Sequence, residues 1–194
     1  MANSLSPFEL VLGTTNPGKV REIRACLREW NCLIPPADLI LEETGETFAE
    51  NARMKAVQTA LALECWALAD DSGLEVTSLD GAPGLYSSRY GRTDAERIER
   101  LLFELGDEPE RSARFVCVVA VANPQGEIVA EATGICEGEI LTAPRGTGGF
   151  GYDPIFYVPA LGMTFAEMTP AQKQQVSHRG RALQALVPQL RALR

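Results

Sequence analysis

The sequence predicts an α/β fold: a mixed, twisted sheet with flanking helices on both faces and a cleft between two lobes. Three observations point there. A short apolar run near the N-terminus passes through a loop into a helix-periodic stretch. A long segment rich in Ala and Leu leads into a second apolar run, and two β-rich runs follow one another across a four-residue turn. The chain's 194 residues suit one domain over 1–194. Its 45% hydrophobic and 23% charged residues are ordinary for a globular protein and disfavour disorder.

Taken in order, Phe8 to Gly13 reads as a strand and Thr14-Thr15-Asn16-Pro17-Gly18-Lys19 as a loop. Val20, Ile23, Leu27 and Trp30 then mark one face of a helix. Thr47-x-x-Glu50 has the form of a capping box ahead of Phe48 to Glu64, which contains no Gly or Pro. Trp66 to Asp70 predicts a buried strand running into the pair Asp70-Asp71, with a break at Gly73 and a further strand over Leu74 to Leu79. Thr93-x-x-Glu96 opens a helix carrying Ile98, Leu101, Leu102 and Leu105, which Gly106 can end. Arg114 to Ala122 and Glu127 to Ile135, separated by Asn-Pro-Gln-Gly, predict an antiparallel hairpin. Pro144, Gly146, Gly148, Gly149, Gly151 and Pro154 mark a loop. Thr169-Pro170-Ala171-Gln172 caps a short helix around Lys173. Ser177 can cap a last helix bearing Leu183, Leu186 and Leu190, with His178 and Arg179 in its first turn.

Composition excludes several classes of function. With 18 basic against 26 acidic residues the formal charge is -8, so nonspecific attraction to a nucleic-acid backbone is not expected; the globular-average composition disfavours a membrane span. Cysteines 26, 32, 65, 117 and 136 are odd in number, widely spaced and set in apolar or amphipathic runs, which reads as reduced core thiols. A single His excludes a zinc site built on several histidines. The opening Met-Ala-Asn-Ser-Leu-Ser-Pro lacks the regions of a signal peptide, and a cytoplasmic location is expected.

Adjacent carboxylates at Asp70-Asp71 repel one another unless a cation, a donor or a shared proton compensates them, and a divalent metal is the leading candidate. The same residues also suit a surface turn. In the first loop, backbone N–H groups at a helix start and the Lys19 ammonium can meet a phosphate. Val20 stands where a Walker loop has its metal-binding hydroxyl, and the spacing differs, so this is either another phosphate loop or an ordinary capped turn. Asn51 and Lys55, four apart, share a helix face and can reach one ligand, although an isolated lysine usually serves solvation. Glu42, Glu43 and Glu46 offer a second carboxylate to join Asp71. In the Gly-rich loop Phe150 or Tyr152 can stack on a flat ligand or merely anchor the loop. Lys173 and His178 lie about 500° apart on one continuous helix, so they share a site only if the chain breaks between them, which Ser177 allows.

Together and in this order the segments resemble the inosine/xanthosine triphosphate pyrophosphatase family. The matching pieces are Gly-Thr-Thr-Asn-Pro-Gly-Lys at 13–19, Glu-Thr-Gly-Glu-Thr-Phe-Ala-Glu-Asn-Ala at 43–52 with Lys55, and Ala-Asp-Asp-Ser-Gly-Leu-Glu-Val at 69–76. Gly-Ala-Pro-Gly-Leu-Tyr-Ser-Ser-Arg-Tyr at 81–90, Gly-Gly-Phe-Gly-Tyr-Asp-Pro-Ile-Phe at 148–156 and Ser-His-Arg-Gly at 177–180 complete the set. The resemblance implies a nucleotide-binding cleft between the lobes and hydrolysis of noncanonical purine nucleoside triphosphates (ITP, dITP, XTP) to monophosphate and pyrophosphate. It further implies Mg2+ held by Glu43 and Asp71, with Asp71 as proton acceptor and Lys19 and Lys55 facing the phosphates beside Asn51. Substrate contacts would come from Thr14, Thr15, Asn16, Pro17, Gly18, Lys19, Ser72, Phe150, Gly151, Tyr152, Asp153, Lys173, His178 and Arg179. Thr15 and Thr147 depart from the residues frequent there, Gly and His. Family members are typically homodimers, and Tyr86 and Tyr90 are candidate interface aromatics. The alternatives are a pyrophosphatase for another nucleotide and a nucleotide sensor without turnover; the presence of Asp70, Asp71, Lys19 and Lys55 disfavours the second.

Overall fold

A computed structural model describes residues 9–193. Phe8, the expected start of the first strand, lies outside the described residues. One open sheet contains β1 (Glu9–Leu12), β2 (Asn31–Leu33), β3 (Ala67–Val76), β4 (Ser112–Ala122), β5 (Ile128–Ile140), β6 (Phe156–Val158) and β7 (Met163–Thr164), in the order β2-β1-β3-β4-β5-β6-β7. β1 runs parallel to β2 and β3, and all other pairings are antiparallel, so the sheet is mixed. The helices are α1 (Pro17–Cys26), α2 (Phe48–Leu63), α3 (Asp94–Leu105), α4 (Pro170–Val176) and α5 (His178–Ala192).

Helix starts are set by capping side chains, at Thr47, Thr93, Thr169 and Ser177 as the sequence predicts and also at Asn16. Asn16 Oδ1 accepts from the amides of Gly18 and Lys19, and the Thr47 and Thr93 hydroxyls accept from Glu50 and Glu96. The return half of these two boxes differs from the simple form: Glu50 accepts from the Glu46 amide and Glu96 from Arg92, one residue earlier than the cap. Each glutamate thereby also fixes the loop entering its helix. At α4 the reciprocal box between Thr169 and Gln172 is complete.

Alternation along β4 divides the core. Cys117, Val119 and Val121 face α1 and α5, whereas Val116, Val118, Ala120 and Ala122 face the small side chains Ala52, Ala56 and Ala60 of α2. A further cluster, built from α3, β6 and aromatic residues, continues the first face at its other end through Leu74, Val76 and Phe115. On that face of β3, Asp70 and Ser72 fall between Leu68 of one cluster and Leu74 of the other. This polar interval is the cleft between the lobes.

Three sequence readings change. β3 does not break at Gly73: it pairs without interruption with β4 from Ala67↔Ala122 to Val76↔Ala113. A Cβ on Gly73 would lie 2.3 Å from the Gly84 carbonyl oxygen and 2.8 Å from the Phe48 ring, so the glycine marks close packing. Thr77–Leu79 forms a 3₁₀ turn. The acidic pair therefore sits within a strand, with Asp70 wholly buried and Asp71 8% exposed, which overturns the surface-turn reading. Finally, α1 ends at Cys26, and Trp30 joins the same core from the turn before β2, a strand too short to show a period.

The topology creates a crevice. β1 pairs only with Ala67 and Leu68 of β3 and leaves the sheet at Gly13, whose amide donates to the Leu68 carbonyl at 2.7 Å. The chain goes from β1 to α1 on one face, and from α2 on the other face into β3. The carboxyl end of β1, which stops just short of the middle of β3, thus forms a topological switch point where a ligand can meet side chains from both faces.

Candidate active site

Neighbouring residues of a strand point to opposite faces, and this resolves the repulsion between Asp70 and Asp71. Asp70 Oδ2 receives Lys19 Nζ at 3.1 Å and Arg179 Nη2 at 3.1 Å, with Arg179 Nε at 3.2 Å. Asp71 Oδ1 receives Lys55 Nζ and its Oδ2 receives Asn51 Nδ2, both at 3.1 Å. The compensating charges in the protein itself are thus lysine and arginine. The two acids are driven apart. Burial raises both, but at Asp70 Lys19 and Arg179 outweigh it and hold the carboxyl well below the usual range. At Asp71 burial wins over Lys55 and Lys19, and its pKa lies above the ordinary value.

Glu43 joins Asp71 through a shared partner. Its Oε1 lies 2.6 Å from Lys55 Nζ, so one ammonium bridges the two carboxylates. Asn51 is a brace: while Nδ2 holds Asp71, its Oδ1 accepts from the Gly45 amide at 2.8 Å and ties down the loop that carries Glu43. Thr14, Thr15, Asn16, Pro17, Lys19, Glu43 and Lys55 line one open cleft together with Ser88. Gly18 is absent from that lining. A Cβ there would meet the Phe150 ring at 2.6 Å, so what its missing side chain admits is a protein ring. Two carboxylate oxygens suit a hard cation that takes its remaining ligands from water and phosphate. Among the described residues no group of three or more His, Cys, Asp or Glu could hold a metal by itself.

A second pocket adjoins through Asn16, Lys19 and Ser88. It is walled by Ser72, Phe150, Gly151, Tyr152, Asp153, Lys173, His178 and Arg179. The extended backbone of Ser177 ends α4 and caps α5, and this brings Lys173 and His178 to the same site. Lys173 Nζ lies 2.6 Å from Asp153 and 2.7 Å from Glu22. The Arg179 fork is taken by Asp70, Glu22 and Ser72. His178 stacks on Phe115 with centroids 4.5 Å apart; burial and the neighbouring cations Arg179 and Lys173 push its pKa well below the ordinary value, so the ring is neutral. Tyr152 is buried and donates to the Ser87 carbonyl at 2.9 Å, anchoring the loop, whereas Phe150 lies over the cations with Lys173 Nζ 4.7 Å from its ring centre.

The family model described as the Ham1 family matches residues 10–189. The chain belongs to the Ham1 family. It is 58% identical over 186 residues to a dITP/XTP pyrophosphatase of a Nostoc species, which covers 95% of each chain. It is 55% identical over 180 residues to the dITP/XTP pyrophosphatase of Thermosynechococcus vestitus, 92% of this chain and 93% of that one. Among solved structures, the Staphylococcus aureus Ham1 protein aligns with a TM-score of 0.85 at 41% identity, covering 96% of this chain and all of that one. A HAM1 protein from Coxiella burnetii gives the same TM-score at 44% identity, over 95% and 99%.

Sequence reasoning missed several members of the Ham1 cleft. Glu22, one helical turn after Lys19, pairs with both Lys173 and Arg179; the i, i+3 spacing was the available signal. Ser88 and Arg89 lie inside the quoted motif at 81–90 but were given no role, and Arg97 follows that motif without a signal of its own. Tyr90 is buried beneath the Arg100 guanidinium, 3.9 Å from the ring centre, which is a packing role, while Tyr86 is exposed. All five cysteines are free thiols, and burial raises Cys117 to about 12. Among the described residues no helix is long and apolar enough to cross a membrane.

Proposed function

We propose that this Ham1 chain hydrolyses ITP, dITP and XTP to the nucleoside monophosphate and pyrophosphate. The observation that carries the reading is that Lys19 and Lys55, from separate segments, line one crevice, with Asp71 of a third segment bound to Lys55 Nζ at 3.1 Å. The names of the relatives support it, since both cyanobacterial proteins are dITP/XTP pyrophosphatases. Lys19 and Lys55 exchange part of their carboxylate contacts for phosphate oxygens and stabilise charge developing there. Asp71 accepts the proton of the attacking water. Asp70 is too firmly held as an anion to serve in that role. Glu43 and Asp71 hold Mg2+, which supplies Lewis-acid neutralisation of the triphosphate when bound.

The base occupies the second pocket. A neutral His178 and the Lys173 ammonium offer donors to the 6-oxo group of hypoxanthine or xanthine, whereas the amino group of adenine presents a donor of its own. A mismatch of this kind in a hydrogen-bonding site discriminates by on the order of 10⁴. The acidic surface charge and the free thiols support a cytoplasmic enzyme acting on a free nucleotide, without nucleic acid or membrane, and we extend the reading to a homodimer. The test is kcat/KM for ITP, XTP, dITP and ATP with Mg2+, together with identification of the phosphate product. Selective turnover of the 6-oxo nucleotides with release of pyrophosphate supports the proposal; equal values across the panel, or release of orthophosphate, overturn it.

A further inference from the structure

We propose that Arg89 is a phosphate-binding residue that Glu43 holds in reserve: its guanidinium exchanges the Glu43 carboxylate for the pyrophosphate end of the substrate when a divalent cation occupies Glu43 and Asp71. The inference rests on the function proposed above. Both oxygens of Glu43 are occupied by protein cations, Oε1 by Lys55 at 2.6 Å and Oε2 by Arg89 at 2.7 Å. A metal ion binding Glu43 competes with both cations for the charge of that carboxylate. Lys55 cannot leave readily, because its side chain is 6% exposed and Asp71 also holds it. Arg89 can: its side chain is 54% exposed and Glu43 is its ion-pair partner.

The backbone beneath Arg89 is fixed, which makes the side chain a swinging arm on a rigid pivot. Arg89 ends the 3₁₀ turn Gly84–Arg89. Ser87 straps that turn to the strand and to the Gly-rich loop: its hydroxyl accepts from the Leu74 amide at 2.9 Å and its carbonyl accepts from the Tyr152 hydroxyl at 2.9 Å. Ser88, the next residue, lines both the triphosphate cleft and the base pocket, so the pivot stands where the two meet. Charge balance gives the exchange its direction. Lys19, Lys173 and Arg179 are each matched to buried Asp70 or Asp153, whereas Arg89 is freed once Glu43 is neutralised by a metal. A guanidinium fork fits two phosphate oxygens better than a lysine does.

The experiment measures Mn2+ binding to the full chain by electron paramagnetic resonance and pyrophosphate binding by calorimetry with Mn2+ present. It compares wild type, R89A, R89K and the control R92A, which removes an equal charge from an exposed site paired to Glu96. Without its competitor, R89A is expected to bind Mn2+ about threefold more tightly than wild type. Its pyrophosphate affinity is expected to fall about tenfold. R89K keeps the Mn2+ affinity near wild type but binds pyrophosphate more weakly, and R92A changes neither. Unchanged or weaker Mn2+ binding by R89A, or undiminished pyrophosphate binding, overturns the exchange. Neither titration requires turnover. A wild-type protein that fails to hydrolyse ITP while R89A shows both shifts would refute the function and uphold the exchange; an active wild type with an indifferent R89A would do the reverse.

Discussion

His178 is the chain's one histidine, stacked on Phe115, and its Nδ1 has no hydrogen-bond partner among the described residues. Its folded pKa lies well below 6.5 because burial penalises the charged ring, so the unfolded chain binds the proton more readily than the folded one. Stability associated with this group is complete above the unfolded value of about 6.5 and declines as pH falls below it, by about 1.4 kcal/mol per pH unit. We expect urea denaturation to show that loss between pH 6.5 and 5.5 in wild type and not in H178F. The sequence named His178 as a site residue but could not show it neutral, because the rings against it, Phe115 of β4 and Phe165 just after β7, are distant in the chain. Asp70 was misread for the same reason: its neighbours Lys19 and Arg179 are 51 and 109 positions away.

At the scale of elements, α5 lies so close to β5 that the strand has no room for a side chain at Gly134. A Cβ there would stand 2.1 Å from the His178 carbonyl oxygen and 2.4 Å from the Ala182 amide nitrogen. G134A must push the start of α5 off the sheet. We expect a loss of about 1–3 kcal/mol in urea denaturation, with a raised KM for ITP because His178 and Arg179 move together. Elements with local signals were legible before the structure: the caps at Thr47, Thr93, Thr169 and Ser177, and the hairpin of β4 and β5. Those without were not. β2, β6 and β7 are two or three residues long, and Gly73 looked like a breaker when it serves to admit the Gly84 carbonyl and the Phe48 ring.

For the molecule as a whole, a formal charge of -8 must coexist with a tetra-anionic substrate. The cleft is not a positive well, since its lysines and Arg179 are already paired with carboxylates. On the function proposed above, a divalent cation at Glu43 and Asp71 tips the balance, and we expect chelation by EDTA to abolish both turnover and calorimetric ITP binding, with Mg2+ restoring them. The six motifs were legible as pieces, and their order pointed to one family; that two of them meet across opposite faces of β3 depends on β1 ending early, which no local pattern encodes. The central claim is that one strand presents a structural anion on one face and a proton acceptor on the other. Parallel measurement of turnover and unfolding free energy in D70N and D71N tests it most directly. D71N is expected to lose about 10²–10⁴ in kcat with stability near wild type, while D70N, leaving Lys19 and Arg179 without their buried partner, loses about 3–5 kcal/mol of stability. Full turnover by D71N, or a D70N as stable as wild type, would contradict it.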